Sequence, residues 1–144
     1  LNDEGKNAAK YVKEQLATER KQKVQSHKDT TNSQIDTLSD QKKSNIESNK
    51  AVMQGEIDSL RTMLQSMSKE DKARNKERIY TQIASLREKN KMARQRLQAD
   101  FRASRTSLRD THSEEKQRLK NEYDERYLQE LDKIRADSKF RKKK

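Results

Sequence analysis

The stretch Met63-Leu64-Gln65-Ser66-Met67-Ser68-Lys69-Glu70-Asp71 decides the fold, because the sequence on either side of it reads as helix. If it turns, the chain is a hairpin of two long helices. If it does not, the chain is one helix. It carries no Gly or Pro, the usual punctuation of a turn. It does carry Ser68 followed by Glu70 and Asp71, an N-cap serine with acids in the first helical turn. Asp71 takes the place of the Glu or Gln of a full capping box. Met63, Leu64 and Met67 can close such a tip with a small apolar cluster.

Outward from this point the apolar residues recur every eleven positions. Val24, Ile35, Ile46 and Ile57 form one row, and Leu38 and Leu60 follow two of them by three. His27 and Asn49 fill the equivalent places after the other two. Beyond the candidate turn, Leu86, Leu97, Leu108 and Leu119 form a row, as do Ile79, Asn90, Phe101, His112, Tyr123 and Ile134. Eleven residues in three turns is ~3.67 per turn, close to a straight helix, so each row stays on one face. The two halves also match when one is reversed. Ile57 then meets Ile79, Met53 meets Ile83, Leu38 meets Leu97 and Ile35 meets Phe101. Further out, His27 meets Leu108, Val24 meets His112, Leu16 meets Leu119, Val12 meets Tyr123 and Leu1 meets Ile134. An antiparallel pairing requires this mirror relation.

The predicted fold is therefore all-α: a long antiparallel two-helix hairpin of coiled-coil type, turning near residues 65–71. The alternative is one continuous long helix in an oligomeric coiled coil. The arms are residues 1–67 and a second, basic arm of residues 68–144 with a Lys/Arg-rich C-terminal tail. Each arm would be ~100 Å long, and an unbroken helix would exceed ~200 Å. Composition agrees with helix and excludes a compact core. Charged residues make up 41% and apolar residues 28% of the 144, with no Pro, no Cys and two Gly. An ordinary globular domain is nearly half apolar, whereas a coiled coil buries only a narrow seam. The seam residues are Val24, Ile35, Leu38, Ile46, Ile57, Leu60, Ile79, Leu86, Leu97, Phe101, Leu108, Leu119 and Tyr123. So thin a seam, interrupted by His27, Asn49, Asn90 and His112, predicts self-association or docking onto a larger assembly.

Chemistry-bearing motifs are sparse. Without Cys there are no disulfides and no thiolate metal or nucleophile sites. Gly5 and Gly55 are isolated, so no phosphate-binding loop exists. Gly55 marks a bend or a close contact, or is simply tolerated. The two histidines fall on the seam, near one another across the hairpin. A pH-sensitive or metal-linked pair is one reading; two polar residues that fix register is the other, favoured by the absence of carboxylates at zinc-ligand spacing. The carboxylates lack an apolar pocket to raise their pKa for general acid work, so the chain does not read as an enzyme. No cofactor, metal or small-molecule substrate is expected. No apolar run approaches the ~20 residues of a membrane span, and no signal-peptide core is present. The chain opens on Leu1 rather than Met, and Arg141-Lys142-Lys143-Lys144 reads as a C-terminus.

The net charge of +11 is one-sided. Residues 1–67 hold 11 Lys+Arg against 10 Asp+Glu, which leaves 24 against 14 for residues 68–144. Such an excess suits nucleic acid or an acidic partner surface, or is a solvated helix face. The densest runs are residues 87–96 and the tail. Lys139, Arg141, Lys142, Lys143 and Lys144 are the candidate phosphate contacts, giving salt-sensitive DNA binding without sequence preference. Phe101 and Tyr123 belong to the seam, which leaves few aromatics for base stacking.

Residues 57–72, Ile57-Asp58-Ser59-Leu60-Arg61-Thr62-Met63-Leu64-Gln65-Ser66-Met67-Ser68-Lys69-Glu70-Asp71-Lys72, carry a resemblance together with Ile83-Ala84-Ser85-Leu86-Arg87-Glu88. Paired I-x-x-L-R helices flanking an M-S-K-E-(E/D) link resemble the charged helical regions of minor head or capsid-associated structural proteins of tailed bacteriophages. The resemblance implies a structural role in the virion or in head assembly, with no catalytic residue. It places the protein in the virion or the host cytoplasm. Its partners would be further copies of itself, other virion structural proteins, or packaged DNA contacted non-specifically. A non-specific nucleic-acid-binding coiled coil and a general coiled-coil scaffold or spacer are the alternatives.

Overall fold

The computed structural model describes residues 1–143; Lys144 lies outside the described residues, and with it one candidate phosphate contact. Two helices account for nearly all of the chain, α1 (Asp3–Gln65) and α2 (Lys69–Ala136). A single 3-10 turn follows at Ser138–Phe140. The helices pack against one another as an antiparallel hairpin, and no strand occurs among the described residues. The alternative of one continuous helix is excluded by the break between Gln65 and Lys69.

The link closes as the serine pattern predicts. Asp71 N donates to Ser68 Oγ at 3.2 Å, and Lys72 N donates to the Ser68 carbonyl at 2.9 Å. Ser68 thus caps the exposed amides of α2, while Glu70 and Asp71 lie against its positive end. On the α1 side, Ser66 Oγ donates to the Met63 carbonyl at 2.9 Å. No described residue has a positive φ. The turn therefore needs no glycine, which is why the usual punctuation is absent. Leu64 and Met67 cover the tip as expected, but Met63 does not. It is 41% exposed and faces a groove on the flank.

Close packing divides the chain into two units, each built from a piece of both helices. The first combines residues 1–34 with 107–144, and the second is residues 35–106. In the second unit Ile57, Ile79 and Ile83 are 1%, 0% and 3% exposed, ringed by Met53, Leu60, Leu64, Met67 and Leu86. In the first unit the core is Leu16, Leu119 and Tyr123, with Val12, Val24 and Tyr127 against it. Ile57 clusters with a pair four residues apart, and so does Leu16. In each unit one α1 residue thus packs against two α2 residues one helical turn apart. The reversed pairing is corrected for His27 and for Val24. His27 faces His112, one turn beyond the expected Leu108. Val24 joins the Leu119–Tyr123 cluster, where the pairing had set it opposite His112. Positions i and i+4 share a helix face, so the stripe alone fits either register; side-chain packing chooses between them.

Candidate functional site

Seam residues supply the core of each unit. Of the seam's thirteen expected members, Ile57, Ile79, Leu119 and Tyr123 are buried. The other nine are half-buried: Val24, Ile35, Leu38, Ile46, Leu60, Leu86, Leu97, Phe101 and Leu108. A third row, not apparent from apolar residues alone, completes it: Ala9, Arg20, Thr31, Lys42, Met53 and Leu64, again eleven apart. None of them is fully exposed, and Thr31 retains only 5% exposure. A polar residue at three of six places hides this row from a search for apolar periodicity.

The seam aromatics are held in the same way in both units. Lys42 of α1 and Arg105 of α2 approach the Phe101 ring at 4.4 and 5.4 Å. Lys23 of α1 and Arg126 of α2 approach the Tyr123 ring at 5.3 and 4.8 Å. Each ring thus meets one cation from each helix, worth about 0.5–1 kcal/mol apiece at exposed sites. The His27 and His112 rings are nearly parallel and meet edge to edge, with centroids 5.0 Å apart and an interplanar angle of 13°. Their Nδ1 atoms lie 2.7 Å apart. In such a bond one ring donates and the other accepts, with the roles set by the tautomers. No group of three metal-ligating side chains occurs among the described residues.

Beside Tyr123, Glu19 bridges the helices to Arg126 at 3.5 Å and reaches Lys23 at 4.0 Å. The Tyr123 hydroxyl, buried and without a well-aligned hydrogen bond among the described residues, still lies close enough to favour the charged form of Glu19. With Arg126 and Lys23 it holds that carboxyl below its ordinary value of 4.5. The sign follows from linkage. A carboxylate favoured by folding contributes stability above the ordinary carboxylate range, and that contribution is lost as pH falls through the lowered value. Glu19→Gln is expected to leave the fold intact, lower the melting temperature slightly at pH 7, and flatten the decline in acid. Thermal melts between pH 3 and pH 7 check this; an acid decline as steep as that of the unaltered protein would remove Glu19 from the account.

Of the C-terminal candidates, Lys139 is fastened at its backbone. Asn2 N donates to the Phe140 carbonyl and Asn2 Nδ2 to the Lys139 carbonyl, both at 2.8 Å. Asn2 Oδ1 accepts from Gly5 N at 2.8 Å and so caps α1. A Cβ on Gly5 would lie 2.8 Å from Phe140 Cβ, so this close approach requires glycine. Lys139, Arg141, Lys142 and Lys143 all remain exposed.

On the flank of the second unit lies a groove of about 830 Å³. Val52, Gly55, Leu60, Met63 and Leu86 line it, and Val52 is 62% exposed. The lining also holds the polar residues Glu56, Ser59, Gln82, Ser85 and Lys89. A Cβ built on Gly55 would meet nothing within 4 Å. Among the described residues no helix is long and apolar enough to cross a membrane. No family model, curated protein or solved structure matches the chain.

Proposed function

We propose that the chain is a non-catalytic structural building block that works by assembling with copies of itself, as a component of a tailed-phage head or of its assembly. The observation that carries the assembly reading is Gly55. Glycine inside a helix costs about 1 kcal/mol relative to Ala. Nothing within the hairpin requires it, since a side chain there would enter open space. What Gly55 does provide is a smooth floor between Val52, Leu60, Met63 and Leu86, shaped for a second apolar helix to approach closely. The half-buried seam supports the same reading, because nine of its thirteen residues await further cover. A second copy is the natural occupant, since its own Val52 and Met63 stand exposed beside the same groove. The virion setting is supported by the likeness of residues 57–72 and 83–88 to charged helical head proteins.

Gly55→Gln separates the two roles this position can have. Within the hairpin it should be stabilising by about 0.5–1 kcal/mol, because Gln is the better helix former. At the groove it should weaken self-association at least tenfold by sedimentation equilibrium. Unaltered association would remove the groove as the contact, and a wild-type chain that stays monomeric at tens of micromolar would remove self-assembly altogether.

A further inference from the structure

We propose that the groove between α1 and α2 in the first unit binds the phosphodiester backbone of double-stranded nucleic acid. This goes beyond the assembly role and rests on other residues. The groove measures about 820 Å³. α1 contributes Arg20 and Lys21 to its walls, and α2 contributes Lys116 and Lys120. Gln22 and Ser113 add neutral hydrogen-bonding groups, and no carboxylate lines it.

The absence of carboxylates is not an accident of counting, because acids are close by in the chain. Glu19 precedes Arg20, yet its carboxylate turns to Arg126 at 3.5 Å and Lys23 at 4.0 Å. Glu115 and Glu122 flank the two lysines of α2, yet both are taken by Arg118, at 2.6 and 3.1 Å. Arg118 also holds the Glu115 carboxyl below the usual carboxylate range, through their hydrogen bonds before any other cause. Glu19, Glu115 and Glu122 are thus tied into ion pairs outside the lining. Asp29 accepts from Gln25 of the lining at 2.8 Å, and Glu114 has no ion pair among the described residues. None of the four groove cations has a carboxylate within 4.0 Å among the described residues.

The form of the groove selects the class of anion. Its cations are at least partly exposed, so each keeps much of its hydration and a single small anion would be held weakly. Binding becomes substantial when several phosphates act together and release counterions. An acidic protein would normally bury apolar side chains at the centre of its contact. Here Val24 is the one apolar side chain, and the remaining apolar surface of the lining belongs to the stems of polar and charged residues. A single strand would call for aromatic platforms, and Tyr123 is buried in the seam with a cation from each helix against its ring. Charge with neutral donors and no stacking surface is what a duplex backbone needs.

Fluorescence anisotropy of the full chain with a mixed-sequence DNA duplex tests this. Four phosphate contacts should give a salt slope near −3.6 and about a 100-fold loss of affinity between ~50 and ~200 mM salt. Lys116→Gln with Lys120→Gln should lower the slope by about 2, and Arg20→Gln with Lys21→Gln by a similar amount. Lys43→Gln with Lys50→Gln removes the same charge from exposed positions of the second unit and should leave the slope unchanged. Gln is a good helix former and Lys116 and Lys120 are exposed, so that pair keeps the fold even if the α1 pair does not. Three results would overturn the proposal: no duplex binding at low salt, an equal loss from the Lys43 and Lys50 pair, or displacement of DNA by polyglutamate at matched charge.

Discussion

Ile79→Ala is expected to destabilise the second unit by about 2–3 kcal/mol. Ile79 is fully buried, packed with Ile57 and Ile83, which are 1% and 3% exposed. Truncation removes three carbons from the best-covered place in that unit and leaves a space lined by Ile57 and Ile83. Losses for such changes run from about 2 to 5 kcal/mol, set by how well the site collapses. A seam between only two helices has little covering its far side, so its walls can close or admit water, which puts the cost at the lower end. Val52→Ala is the control: Val52 is 62% exposed, so its loss should stay within about 0.5 kcal/mol. Urea unfolding gives the total, and amide hydrogen exchange over residues 35–106 localises it. A cost below ~1 kcal/mol would mean that the tip cluster does not anchor this unit.

The hairpin was legible because its evidence came from two independent levels. The reversed matching of rows is a long-range signal, and Ser68 with Glu70 and Asp71 is a local one. Both point to the same turn. What escaped was settled by packing. Met63 has the same apolar character as Leu64 and Met67, and only the helix face it occupies sends it to the groove. His27 fits opposite Leu108 or His112 equally well by period, because one turn separates the two. The third seam row was hidden by Arg20, Thr31 and Lys42, residues that an apolar template discards. Long side chains can lay their stems along a seam and keep their heads in water, so charge at a position does not remove it from the core face.

The candidate sites were less legible for a related reason. Gly55 was visible as an anomaly, but a sequence does not show what lies opposite a missing Cβ. Charge counted by arm makes residues 1–67 almost neutral, yet Arg20 and Lys21 come from that arm. Their significance depends on which acids are already paired, and Glu19 finds Arg126 more than a hundred residues away. At the termini, Asn2 followed by Asp3 and Glu4 is a readable N-cap with acids in the first turn. No periodicity announces that Phe140 returns to meet Gly5.

Tyr123→Ala is expected to be the most damaging single change in the first unit, costing about 3–5 kcal/mol. Tyr123 is 3% exposed and joins Leu16 and Leu119 across the helices, with Val12, Val24 and Tyr127 packed around them. Its ring also meets Lys23 and Arg126. The companion change Tyr123→Phe separates the ring from the hydroxyl. That hydroxyl is buried without a well-aligned partner among the described residues. Removing a buried, poorly paired hydroxyl relieves a cost, and withdrawing its support from the Glu19 carboxylate adds one, so the net change at pH 7 should stay within about 1 kcal/mol of zero. The hydroxyl is the leading cause of the lowered Glu19 carboxyl, so Tyr123→Phe should bring that group back toward its ordinary range. The acid decline then begins at higher pH and is shallower in total, because less stability is linked to that carboxylate. Thermal melts of both variants across pH 3 to pH 7 read the two effects together. If Tyr123→Phe loses more than ~1 kcal/mol at neutral pH, the hydroxyl is bonded after all, and the ring is not the whole reason this residue sits in the seam.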